Sequence, residues 1–153
     1  MAKNTIDKDG GFVPTKADMI RIDENFVGTV YSHRQRVTVA EINAGATLLS
    51  AVAGKGYRLV GCKAIAYGGA VGSVTTVDVL GTQSGSSVKL VAYAQASLTQ
   101  SAVLKDGGSG AAVLADAASY VACDDNTALT ILKTGSDADT ATGVDIILQY
   151  TID

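Results

Sequence analysis

At the end of the chain Val144, Ile146, Leu148, Tyr150 and Ile152 alternate with Asp145, Ile147, Gln149, Thr151 and Asp153. A period of two predicts a strand with one buried face. A strand so apolar is expected in the middle of a sheet, because at an edge it would template aggregation. The same alternation runs back to about Arg36 in shorter pieces, parted by Gly, Asn, Asp and Ser. It predicts strands over 36–39, 46–52, 57–67, 74–80, 88–93, 101–104, 120–123 and 128–133. Within 74–80, Val77 and Val79 share one face, with Thr76 and Asp78 on the other. Turns are expected at 41–45, 54–56, 68–72, 81–87, 105–110 and 124–126, and a helical turn within 94–100. Residues 111–118 are too rich in alanine to be read by pattern. Many short strands with little helix predict an all-β fold, an antiparallel sandwich or barrel of jelly-roll type, over residues 36–153.

Residues 1–35 read differently. They hold much of the charge but little periodicity, and they form an extended N-terminal arm in this reading. Phe12, Val13, Pro14, Met19, Ile20, Ile22 and Phe26 are apolar anchors too sparse to build a core of their own, so they need a surface supplied by the body or by another subunit. A helical turn over 17–25, capped by Thr15, is compatible with the segment.

Composition narrows the function. Hydrophobic residues make up 47% of the chain but aromatics only 5%, with no Trp; small and β-branched residues suit close-packed strands and do not build deep aromatic pockets. A net charge of −3 and a pI near 5.0 give no general attraction to nucleic acid, so none is expected as a partner. No apolar signal segment opens the chain and no run of about 18 apolar residues could cross a membrane, so cytoplasmic synthesis and no membrane partner are expected. Cys62 and Cys123 lack C-x-x-C spacing and are expected to be buried thiols, with a disulfide between them as the alternative.

Catalytic chemistry has few candidates. The single histidine, His33, lies in Tyr31-Ser32-His33-Arg34 at the expected junction of arm and body, where a structural role is the reading taken. The glycine clusters at 68–72 and 107–110 lack phosphate-loop context. Asp124-Asp125-Asn126 and the pair Asp137 and Asp139 lack the spacing and the final Glu of a calcium loop, and read as turns. Tyr57, Tyr67, Tyr93, Tyr120 and Tyr150 fall in or beside expected strands and serve packing. The expectation is a non-enzymatic protein with no catalytic residue, metal or cofactor.

The run VTVAEINAGATLLSAVAGKGYRLVGCKAIAYGG, with SVTTVDVLGTQ, SSVKLVAYAQASLTQSAVL and the ending DDNTALTILKTG…ATGVDIILQYTI, resembles the capsid decoration, or cement, proteins of tailed bacteriophages over about residues 37–152. The resemblance implies a β-sandwich or barrel, often trimeric, docked on the outside of the virion capsid. The implied partners are the major capsid protein and further copies of the chain. Other virion roles, at a head fibre base or in the tail, share this body plan, and a glycan-binding module is the alternative from a different class.

Overall fold

The computed structural model describes residues 29–105 and 121–153, together with the backbone of Thr5–Ile6 and Phe12–Val13. Strand β1 (Thr5–Ile6) pairs antiparallel with β2 (Phe12–Val13). The body begins at β3 (Tyr31–Thr38) and passes through a short helix, α1 (Val39–Ala44), to β4 (Ala46–Leu49) and β5 (Tyr57–Tyr67). It continues through β6 (Gly72–Gln83), β7 (Ser86–Ala94), β8 (Leu104–Lys105), β9 (Leu129–Asp139) and β10 (Gly143–Ile152). A first sheet has the order β3-β10-β5-β8, and a second has the order β4-β9-β6-β7. All pairings are antiparallel. From β3 onward each strand is followed by one in the other sheet, except that β6 and β7 form a hairpin. The fold is an all-β sandwich.

The terminal alternation explains the core. β10 lies between β3 and β5, as its apolar face requires, and places Val144, Ile146 and Leu148 between the sheets. Leu59, Cys62 and Ala64 of β5 join them, and from the second sheet come Val77, Val79, Val91, Leu129 and Ile131, all nearly or fully buried. Cys62 and Cys123 are both buried.

Several boundaries differ from the sequence reading. β3 begins at Tyr31, so the pairing of Tyr31–Thr38 with β10 takes in residues 31–35, which the charge pattern had grouped with the arm. Residues 39–44 are a helix, stopped at Gly45. The hydroxyl of Thr38 accepts from the Glu41 amide while the Glu41 carboxylate accepts from the Thr38 amide, a reciprocal cap that satisfies two otherwise orphan donors. Of the strand expected at 101–104, only Leu104–Lys105 pairs, with β5. Residues 121–123 form no ladder; instead the Cys123 amide donates to the Tyr57 carbonyl and the Asp124 amide to that of Thr82. Tyr120, most of the loop expected at 105–110 and residues 111–118 lie outside the described residues.

The turn expected over 81–87 shrinks to Ser84-Gly85, because Gln83 still pairs with Ser86. Both turn residues have positive φ, 50° and 72°, the mirror-image geometry that matches strand twist in a two-residue hairpin. Asp124 stabilises it from outside: its carboxylate accepts from the Ser84 amide at 2.9 Å and from the Gly85 amide at 2.7 Å. Nearby, Asn126 accepts from the Gly54 amide at 2.7 Å. The acidic turn therefore ties the β6–β7 hairpin to the turn at Gly54. Replacing Asp124 with Ala should cost about 1–2 kcal/mol, since two charge-assisted hydrogen bonds are lost at a solvent-accessible site. A lower urea midpoint at unchanged slope would register it; an unchanged midpoint would remove the turn from the account.

Candidate interaction surface

On β3, β10 and β5 the side chains that alternate with the core form the outer face of the first sheet. On it Asp145 stands opposite Arg36 of β3 and Ile65 of β5. The Asp145 side chain is 5% exposed, unusual for a carboxylate unless it is paired. Arg36 supplies a two-pronged grip, Nε to Oδ1 at 2.8 Å and Nη2 to Oδ2 at 3.1 Å, and Arg34 donates to Oδ2 as well. The Arg36 guanidinium also lies 4.3 Å from the centroid of the Tyr67 ring, a cation–π arrangement. Tyr67 in turn stands opposite Gly143, whose missing side chain makes room for the ring.

Hydrogen bonds from Arg36 lower the Asp145 pKa most, burial opposes them, and Arg34 adds a hydrogen bond and attraction, which leaves the group at about 2 against an ordinary 3.8. A depressed carboxylate contributes stability that is complete above its unfolded-state pKa and is lost as pH falls through the folded value. The window here is about pH 4 down to about pH 2. The exposed Glu41 and Asp139 are also lowered, by hydrogen bonds from Thr38 and from Ser73 respectively, and add to the acid dependence. The melting temperature of an Asp145→Asn variant is expected to fall less between pH 4 and pH 2 than that of the parent. Parallel profiles would show that Asp145 carries none of the dependence.

Along the same face Ile147 stands between Arg34 and Lys63, and Lys63 stands opposite Lys105. Ile65 and Ile147 are half-buried, and Val60 is 46% exposed where β5 carries a one-residue bulge against β10. Arg58 pairs with Asp153 at 2.7 Å. The result is a marked charge asymmetry. Of the basic residues described, Arg34, Arg36, Arg58, Lys63 and Lys105 lie on this one face, against Lys55, Lys89 and Lys133 elsewhere. Its two carboxylates, Asp145 and Asp153, are both held by arginines. The face is therefore basic with an apolar centre, although the whole chain is acidic. Such a surface suits recognition: the charges steer and select a partner, and the isoleucines provide area to bury.

On the second sheet another buried carboxylate, Asp78, faces away from Val77 and Val79 as the alternation predicts, yet is 1% exposed. Lys89 of β7 pairs with it at 2.7 Å.

Of the arm residues singled out by sequence, Phe12 and Val13 form β2, described by backbone alone. Pro14, Met19, Ile20, Ile22 and Phe26, and the helical turn expected over 17–25, lie outside the described residues. His33 sits on the inner side of β3, 3.5 Å from the Gln35 side chain. Gln35 reaches across to the Thr47 carbonyl of β4 and so links the two sheets at their edge. Tyr57 and Tyr93 are buried, and Tyr150 packs between Tyr31, stacked at 5.7 Å, and Tyr57, edge-on at 5.4 Å. Asp139 accepts from Ser73 and Thr140 at the end of β9, and Asp137 pairs with Lys133. Among the described residues no three His, Cys, Asp or Glu side chains are grouped to hold a metal ion. Sequence reading missed the Arg34–Asp145–Arg36 unit; its signal was a lone carboxylate inside an apolar strand. Comparison with family models, curated proteins and solved structures gives no match.

Proposed function

We propose that the protein is a capsid decoration, or cement, protein of a tailed bacteriophage, bound to the outer surface of the head and stabilising contacts between major capsid subunits. The observation that supports this reading best is the basic, apolar-centred outer face of the first sheet, bordered by β3, the strand into which the N-terminal arm leads. A body with one open recognition face and a long anchor-bearing arm can touch two neighbours at once. Many modest bridges of this kind become collectively strong when a symmetric shell fixes their geometry. The arm anchors, Phe12 to Phe26, contact a neighbouring subunit of the shell or of the same protein, and the favoured oligomer is a trimer.

Heads lacking the protein provide the test. Added protein should co-sediment with them and raise the temperature at which they release DNA, and deleting residues 1–28 should weaken binding while the circular dichroism of the body persists. Failure to bind heads, or binding to tails alone, would overturn the reading; the second result would favour a tail-associated role.

A further inference from the structure

The arm and the outer face of the first sheet complement one another in charge and in apolar character. Residues 17–26, ADMIRIDENF, carry three carboxylates, Asp18, Asp23 and Glu24, against one cation, Arg21, together with four large apolar side chains. The face carries an excess of cations around Ile65, Ile147 and Val60. Its carboxylates are already engaged by arginine, whereas Lys63 and Lys105 stand as a like-charged pair directly across β5 and β8. Like charges placed opposite each other on a sheet are destabilising unless an anion lies between or over them.

We propose that residues 17–26 of one copy dock on the outer face of the first sheet of a second copy, with Asp23 and Glu24 over Lys63 and Lys105 and the apolar residues on Ile65 and Ile147. This deepens the proposed function and rests on it for its biological setting, because it names the surface that receives the arm. The direction of the chain favours a neighbour. Thr29 and Val30 lead directly into β3, Val30 is 50% exposed, and the β-branched residues Val27, Thr29 and Val30 favour an extended backbone. To reach the outer face of its own sheet, a chain entering β3 at Tyr31 would have to reverse direction ahead of Thr29. Each copy gives one arm and receives one, which closes as a reciprocal pair or, when the rotation allows, as a ring.

Two full-length double variants separate the possibilities. Lys63→Glu with Lys105→Glu reverses the face, and Asp23→Lys with Glu24→Lys reverses the arm. The parent is expected to self-associate in sedimentation velocity at micromolar concentration and to weaken as salt screens the contact. Each variant alone should dissociate at least about tenfold more readily, a typical effect of reversing close interfacial charge. An equimolar mixture should regain association, because one chain keeps an intact arm and the other an intact face. A monomeric parent, variants that associate as the parent does, or a mixture that stays dissociated would each overturn the proposal; the first is the result that an arm covering its own face would give. Circular dichroism of both variants checks that the sandwich still folds. Head binding by the parent is scored separately: a monomer that binds heads removes this contact and leaves the decoration role, and a self-associating protein that ignores heads does the reverse.

Discussion

An Ile146→Ala variant is expected to lose about 3–4 kcal/mol of unfolding free energy, while Ile147→Ala, one residue along the same strand, loses about 1 kcal/mol. Ile146 is fully buried on the inner side of β10, opposite Gln35 of β3 and Ala64 of β5. Neither flanking position carries a large apolar side chain that could fill the space, and both strands are pinned by their ladders. Truncation therefore loses the transfer term and leaves a cavity as well. Ile147 faces outward, and its truncation exposes area without opening a void. Urea denaturation of the two variants reads the contrast directly; equal losses would contradict the assignment of faces on which the candidate surface depends.

Gly143→Ala is the second large effect, about 2–3 kcal/mol, and it reaches the surface by a chain of contacts. A methyl group at this position would sit well inside contact distance of the Val37 carbonyl oxygen and 2.6 Å from the Tyr67 hydroxyl. The carbonyl belongs to a paired strand and cannot move far, so the Tyr67 ring must shift. That ring carries the Arg36 guanidinium, and Arg36 holds Asp145. Besides the lower urea midpoint, the Asp145 carboxyl should titrate above about 2, because its strongest hydrogen bonds come from Arg36. NMR titration of the Asp145 side chain checks this second part. A variant with parent stability and an unmoved Asp145 would break the proposed line from Gly143 to the ion pair.

Much of the sandwich was legible because one face of each main strand is buried. The alternation at 144–152 gave both the strand and its central place, and 57–67 matched β5 end to end. Where the text misled, local chemistry had masked the period. Arg34 and Arg36 made β3 look like charged arm, although Tyr31, His33, Gln35 and Val37 share one side of the strand. Thr38-x-x-Glu41 carried the capping signal for α1, but a six-residue helix leaves almost no periodicity to read. Ser84-Gly85 lacks the Asn-Gly signature of its turn type, because Asp124, forty residues away in sequence, supplies the anion that stabilises it. The candidate surface was least legible of all. Asp145 alternates with the core and so reads as solvent-facing, and only pairing between β3 and β10 brings Arg34 and Arg36 over it. Long-range pairing sets such sites, and spacing along the chain does not encode it.

Lysine footprinting on heads tests the assembly surface most directly. The protein is labelled with an amine-reactive reagent, dilute and then bound to heads, and the modification of each lysine is read by mass spectrometry. Lys63 and Lys105 should lose most of their reactivity on binding, while Lys55 and Lys89, outside the basic face, keep theirs. Equal labelling of Lys63 and Lys105 in the free and head-bound protein would contradict the assignment of this face to assembly.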